Sequence, residues 1–234
     1  PIAGNGRTTR QNNKLTSTLI EQYLTYDKEI KKHSINILAG YSYQSFQNEY
    51  SQTVGWGLNT PVVAPTDVFV KDFGNFKNYR DLFPGFDKNA LQSVFGRANY
   101  SYDDRYFLTA TVRVDGSSKF GANNRYATFP AFAAKWKVSN EKFAQNNIAK
   151  WFSDFSIRAN YGTIGSQDGL ASYGAVRLGF AYPAFNNNPA GTAVQQEANP
   201  DLKWEQETTT GVGVDFTTKS GRLNVTFDYF RRVR

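Results

Sequence analysis

Two carboxylates in the last fifth of the chain have the spacing that comes closest to a catalytic pair. Glu205 and Glu207 are two residues apart, and Lys203 precedes them at the same interval. Because side chains at i and i+2 of a β-strand point to one face, the two carboxylates would lie together, as the acid pair of a glycoside hydrolase does. The same spacing also predicts an ion-pair ladder with Lys203. We favour the ladder and expect no hydrolysis of glycans.

Other candidate sites in the sequence are weaker. Asp103 and Asp104 beside Arg105 could coordinate a cation, but we favour a solvated hairpin turn, for which such residues are typical. The segment 162–166 has the glycines of a phosphate-binding loop but lacks its lysine and its following helix. The chain has no Cys and a single His33, which excludes thiolate sites and leaves no His-rich cluster for zinc or for Cys/His or Ser/His chemistry. We therefore predict that the protein is not an enzyme, has no metal ligands and needs no cofactor.

The basic residues do not form the patch that nucleic acid requires. Lys and Arg number 27 against 20 Asp and Glu, for a net charge of +7, but they are scattered along the chain. A nucleic-acid partner is therefore not expected, and a solvated or lumenal protein face explains the charge better. The chain also contains no stretch of about 20 apolar residues of the kind that a membrane helix needs.

Aromatic residues are frequent in two regions that we predict to be long loops, 45–92 and 163–201. Loop rings can stack on sugar rings or hold peptide side chains, and they also commonly pack on their own loop, so both interpretations stay open. The predicted substrate-binding residues are Trp56, Tyr79, Phe83, Phe86, Tyr173, Phe180, Tyr182 and Phe185.

The strands that would position these residues are predicted by an alternation of polarity with a period of two. Clear alternation occurs in seven runs, and an eighth run at 15–27 is less regular because Glu21 interrupts it. The seven runs are 34–44, 93–102, 105–115, 132–138, 155–161, 202–217 and 223–229. The sequence therefore predicts an all-β chain of about eight antiparallel strands.

Charge is confined to one side of these runs. Twelve charged residues fall on the polar face and none on the apolar face. A face that meets hydrocarbon must be built this way, because Arg or Lys there costs roughly 2–4 kcal/mol at the bilayer midplane. We therefore predict transmembrane strands with a charged lumenal face. Its main charged residues are Arg97, Arg113, Lys135, Lys137, Arg158, Lys203, Glu205, Glu207 and Asp215.

The connections support a barrel of this kind. Short links at 27–33, 103–104 and 218–221 alternate with the two long aromatic loops and with a third long link at 116–129. Outer-membrane barrels have such short periplasmic turns and long outer loops. One periplasmic link, at 140–153, is of intermediate length, and residues 139–142 could cap a short helix there. Tyrosines around the 103–104 turn resemble an interfacial aromatic belt, although cross-strand packing in a core is the alternative.

Eight strands in sequence order leave two unpaired edges, which hydrocarbon does not tolerate. We therefore expect the intact protein to contain further strands. The alternative architecture is a soluble β-sandwich, secreted or attached to the cell surface, that binds carbohydrate and seals the apolar side between two sheets.

Several motifs resemble one family. They span residues 96–106, 114–121, 124–130, 157–165 and 199–205, for example Val-Asp-Gly-Ser-Ser-Lys-Phe-Gly and Asn-Pro-Asp-Leu-Lys-Trp-Glu. In order and spacing they resemble the barrel region of SusC/RagA-type TonB-linked outer-membrane proteins of Bacteroidetes. The resemblance covers about residues 90–234, and residues 1–89 match only in general character.

The resemblance implies that residues 1–234 are part of one TonB-dependent receptor β-barrel domain, about eight strands of a 22-stranded barrel, with the plug domain and the closing strands absent from this chain. It also implies an importer of oligosaccharides, glycans or peptides in the bacterial outer membrane, surrounded by outer-membrane lipid. The implied partners are a SusD-like surface lipoprotein and the TonB–ExbB–ExbD complex, which would be engaged through the missing amino-terminal part.

Overall fold

The structure, a computed structural model, describes residues 7–58, 76–145, 147–182 and 191–234, most of which lie in ten strands. A one-turn helix, α1, spans Ile148–Trp151, and two 3-10 turns span Ala122–Asn124 and Val138–Asn140. The strands are β1 Arg7–Ile30, β2 His33–Leu58, β3 Phe76–Tyr102, β4 Tyr106–Ser117, β5 Tyr126–Lys137, β6 Phe152–Ser166, β7 Leu178–Tyr182, β8 Gly191–Gln196, β9 Glu205–Thr218 and β10 Asn224–Val233. Among the described residues, no helix has the length and apolar character needed to cross a membrane.

Eight of the strands form one sheet in the order β1-β2-β3-β4-β5-β6-β9-β10, and β7 pairs only with β8. The pairs from β3 to β10 in this sheet are antiparallel. Contacts divide the chain into two compact units, one of Pro1–Thr18 with Ser45–Asn89 and the other of Leu19–Gln44 with Ala90–Arg234. The cavity, the ion-pair clusters and the β5–β6 link described below lie in the second unit.

All eight predicted strands are present, but several are longer than the alternation indicated. The predicted loop at 45–92 is wrong in extent, because β2 continues to Leu58 and β3 already begins at Phe76. The predicted link at 163–201 is also interrupted, since β6 continues to Ser166 and the β7–β8 hairpin follows it. A backbone ladder does not depend on alternating side chains, so strand pairing can continue beyond the end of the alternation.

The cross-strand register sorts the side chains onto two faces. Leu108 lies opposite Ala134, Ala159 opposite Val212, and Val212 opposite Tyr229, which defines an apolar face. Large side chains on this face are open to the surroundings, and Leu108 is 51% exposed. Because the described part of the chain leaves these side chains exposed, the sandwich alternative, which would bury them, is not supported. A contiguous exposed apolar surface of this kind marks a contact surface.

The opposite, charged face carries Lys135 and Arg158 side by side in the register, with Asp215 and Asp228 on the next two strands. The separation of charged and apolar side chains between the two faces is not complete at the strand ends. β10 extends beyond Tyr229 to Val233, and this extension puts Arg231 on the apolar face, at the end away from the β9–β10 turn.

The most buried apolar cluster lies at the ends of strands β4, β5 and β9 next to the longer links. The ring centroids of Phe120 and Trp204 are 4.4 Å apart, those of Phe129 and Trp204 are 5.6 Å apart, and the Trp204 Nε1 donates a hydrogen bond to the Arg125 carbonyl at 3.2 Å. Trp204 falls within the predicted strand 202–217 but outside the observed one. Because β9 begins only at Glu205, Trp204 is not bound by strand alternation and turns into this cluster.

Candidate functional site

An open cavity of about 910 Å³ lies over the charged face, near the ends of β4, β6, β9 and β10. Guanidinium and carboxylate groups line it together with one side of the Phe129–Trp204 cluster. Its charged residues are Arg113, Asp115, Asp168, Glu205, Glu207, Arg232 and Arg234. The cavity therefore offers hydrogen-bond donors and acceptors of both charges beside an aromatic surface.

The predicted carboxylate pair is part of an ion-pair ladder, but the cations differ from the prediction. Glu207, only 9% exposed, lies 2.9 Å from the Nε of Arg232 and 2.9 Å from the Nε of Arg234. Glu205 is 3.9 Å from Arg234. Lys203 is not part of the ladder, because it precedes β9 and is exposed. Arg232 of the partner strand β10 and Arg234, directly after that strand, supply the counter-charges instead.

A second ion-pair cluster occupies the middle of the charged face. Arg158 donates two hydrogen bonds to Asp215, at 2.6 Å from Nε and 3.0 Å from Nη2, and a third to Asp228 at 3.0 Å. Thr226 also donates to Asp215, at 3.0 Å. A Cβ at position 213 would contact the Asp228 carboxylate too closely and lie 3.0 Å from Arg158 Nη2, so a larger residue there would displace the ends of these two side chains. The fork geometry of arginine suits this two-carboxylate arrangement.

We predict that Arg158→Ala lowers the free energy of unfolding of the intact, detergent-embedded protein by about 1–2 kcal/mol, because it leaves two carboxylates without their shared cation. The loss is no larger because the group is partly exposed and solvent screens it. Urea titration followed by circular dichroism measures the change. Arg158→Lys, which keeps one charge but not the fork, should lose about half as much. Equal stability of Arg158→Ala and the unchanged protein would contradict the role of the cluster.

At the opposite ends of the strands, the two turn aspartates are already engaged by cations of this chain. Asp103 accepts hydrogen bonds from Lys32, at 3.0 Å, and from Arg105, while Asp104 lies 3.3 Å from the Nζ of Lys137. Both aspartates have positive φ angles, 52° and 51°, which Asp tolerates better than most residues. Within the described part of the chain, no group of three or more His, Cys, Asp or Glu side chains could hold a metal ion. This arrangement agrees with the hairpin-turn interpretation.

The link after β5 is fixed by one carboxylate that the sequence reasoning did not single out. Glu141 is 7% exposed and accepts hydrogen bonds from Tyr106 Oη at 2.5 Å, from Trp136 Nε1 at 3.1 Å and from Arg105 Nη1 at 3.1 Å. The hydrogen bond from Tyr106 in particular, aided by those from Trp136 and Arg105, lowers the pKa of Glu141 below its usual value. The only feature of the sequence that pointed to Glu141 was the helix cap predicted at 139–142. The structure has a 3-10 turn just before Glu141 and α1 further along.

We predict that acid releases this link. Because the folded-state pKa of Glu141 is lowered, its stabilising contribution is fully present above the ordinary glutamate pKa and is lost as the pH falls through the lowered value. Hydrogen exchange of the 138–151 backbone should therefore accelerate in acid beyond the intrinsic pH effect. Glu141→Gln, which does not titrate, serves as the control, and an identical acid response in both proteins would contradict the prediction.

The predicted aromatic binding residues are not all in loops. Trp56 lies in β2, Tyr79, Phe83 and Phe86 lie in β3, and Phe180 and Tyr182 lie in β7. Phe86 is exposed, as is Tyr173, which lies in a turn before β7. Phe185 lies outside the described residues. The role of this set in binding stays a prediction.

Comparisons with known proteins agree with this architecture. The family model for the TonB dependent receptor-like beta-barrel matches residues 2–233. TonB-dependent receptor P3 of Formosa agariphila is 34% identical over 96% of this chain, and TonB-dependent receptor SusC of Bacteroides thetaiotaomicron is 32% identical over 90% of it. These matches cover 22% and 20% of the two relatives, so the chain spans about a fifth of their length.

A solved structure of the RagAB peptide transporter has the same fold. It superposes with a TM-score of 0.79 over 96% of this chain and 24% of the solved chain, at 24% sequence identity. The match of the family model over nearly the whole sequence, together with the eight-stranded antiparallel sheet, identifies the family. The chain belongs to the TonB dependent receptor-like beta-barrel family.

Proposed function

We propose that this chain forms part of the wall of a TonB-dependent importer in the bacterial outer membrane, with the apolar face against lipid and the charged face toward the lumen. One observation carries the proposal: the register of six adjacent strands places exposed apolar side chains on one face and paired charges on the other. The exposed apolar face is suited to contact with hydrocarbon, and the face with paired charges is suited to contact with water or a plug domain.

The proposed cargo is an oligosaccharide, a glycan or a peptide. The cavity on the charged face supports this range, because paired guanidinium and carboxylate groups beside Trp204 and Phe129 can bind hydroxyl groups, amides and chain termini. A surface lipoprotein similar to SusD would cover the outer opening. The TonB–ExbB–ExbD complex would supply energy through a part of the protein outside this chain.

The proposed function is tested by uptake of labelled maltooligosaccharides and labelled mixed peptides into cells that produce the intact protein. Uptake of at least one of these classes should depend on both the protein and a functional TonB. Uptake that persists without TonB, or an intact protein that is extracted from cells without detergent, would contradict the proposal.

We predict that Trp56→Ala and Tyr182→Ala each weaken substrate binding by the intact protein by about 3–10-fold, because the loss of a stacking ring removes about 1 kcal/mol. Isothermal titration with the transported substrate class measures the affinity. Ser220→Ala in the β9–β10 turn is the control and should leave the affinity unchanged. If Trp56→Ala and Tyr182→Ala bind as the unchanged protein does, neither ring is a contact.

A further inference from the structure

Two large aromatic side chains are exposed in the link between β5 and β6, outside any strand. Phe143 is 60% exposed and Trp151, the last residue of α1, is 75% exposed. Exposure of most of the surface of two such rings in one short link is unfavourable in water. The link is therefore expected to have a contact that covers them.

Hydrogen bonds tie the described residues of the link to the neighbouring strands. Glu141 ties the segment to the ends of β4 and β5 through its three hydrogen bonds, and Ala144 is 1% exposed beneath it. Backbone hydrogen bonds continue the connection: Ala144 and Gln145 donate to the Glu141 carbonyl, and Ala149 donates to the Ala144 carbonyl. At the far end, the Lys219 amide donates to the Trp151 carbonyl at 3.1 Å.

The link is continuous with the apolar face of the sheet. Trp136 lies on that face opposite Ile157, and its ring centroid is 6.4 Å from that of Phe143. Directly after Trp151, the Phe152 ring packs on Phe155 and Phe216, with centroids 6.1 Å and 5.4 Å apart. The aromatic surface of the link thus extends the band of rings at this end of the apolar face.

Exposed lysines flank both rings. Lys142 precedes Phe143, and Lys150 precedes Trp151. Aromatic rings next to basic side chains are typical of segments that lie at the boundary between lipid headgroups and acyl chains. A cationic flank complements phosphate groups at that depth.

We propose that the link 138–151 is a lipid-binding element of the periplasmic leaflet, in which Phe143 and Trp151 enter the headgroup–acyl boundary and Lys142 and Lys150 bind phospholipid phosphates. The inference rests on the proposed function, because it requires the apolar face to contact lipid. It adds a contact outside the strands, made by a segment that Glu141 holds in place.

Nitroxide labels test the proposal in the intact protein reconstituted into vesicles of phosphatidylethanolamine and phosphatidylglycerol. Labels are attached through Phe143→Cys and Trp151→Cys, with Leu108→Cys on the apolar face and Ser220→Cys in the exposed β9–β10 turn as references. Collision with oxygen, which concentrates in lipid, is compared with collision with a water-soluble nickel chelate. Labels at 143 and 151 should favour oxygen, at a depth between those of 108 and 220.

Each other outcome has a distinct meaning. Labels at 143 and 151 that match the aqueous label at 220, while 108 favours oxygen, would overturn this inference and leave the proposed function standing. Labels at 143 and 151 that neither reagent reaches would show a protein contact and would also overturn it. A label at 108 that favours the nickel chelate would contradict the proposed function itself.

Discussion

Ala134→Arg should destabilise the intact protein in phospholipid vesicles by about 2 kcal/mol, whereas Ala133→Arg should change its stability by less than about 0.5 kcal/mol. The two alanines are neighbours in β5, and both are exposed. Ala134 lies on the apolar face opposite Leu108 and Ala159, while Ala133 lies on the charged face opposite Thr109 and Asn160. The new charge therefore enters hydrocarbon in one variant and a polar environment in the other.

Reversible urea unfolding in vesicles, followed by tryptophan emission, measures both changes. Because the two variants have the same original residue, the same new residue and the same strand, propensity and size effects cancel in the comparison. Equal destabilisation by the two arginines would mean that the two faces meet similar surroundings. That result would remove the physical basis for a membrane-spanning sheet.

Trp204→Ala should have the second large effect, a loss of about 3–5 kcal/mol in the local stability of the links that its ring holds together. The ring is 8% exposed and packs on Phe120 and Phe129, which come from different segments of the chain. Its removal leaves a cavity and takes away one of the two hydrogen bonds to the Arg125 carbonyl, which keeps the one from the Ser117 amide. Hydrogen exchange of residues 118–125 and 199–204 in the intact protein measures the opening free energy.

Trp204→Phe separates packing from hydrogen bonding. It keeps most of the ring contacts and loses only the hydrogen bond to Arg125, so a loss of about 1 kcal/mol is expected. Exchange in the β9–β10 turn, away from the cluster, is the internal control. Unchanged protection of both links in Trp204→Ala would show that the cluster does not hold them.

The strands in the middle of the sheet could be predicted because lipid-facing and charged side chains must alternate there. In β4, β5 and β6 the predicted faces agree with the observed register. A shift of the register by one residue would move every charged side chain to the apolar face, so the alternation of polarity specifies the register there. The β7–β8 hairpin could not be predicted in this way, because it pairs outside the main sheet.

The partners of individual side chains could be predicted less well than the faces. The spacing of Lys203 and Glu205 indicated a ladder on one strand, but Lys203 lies outside β9 and the cations come from the end of β10 and the residue after it. Cross-strand contacts depend on register, which no single strand specifies. Glu141 was missed as an anchor for the same reason: its donors Tyr106 and Trp136 come together only when β4 and β5 are paired.

The order of the strands has a consequence for how the sheet is assembled. Most neighbours in the sheet are also neighbours in the chain, so each can pair with the previous strand after a connection shorter than the one between β6 and β9, as β4 does after residues 103–105. The contact between β6 and β9 is the exception, because residues 167–204 must be looped out first. The entropy of closing a loop grows with its length, and distant pairings form more slowly. We therefore expect the β9–β10 hairpin to form early and its docking on β6 to limit the rate at which this sheet is completed.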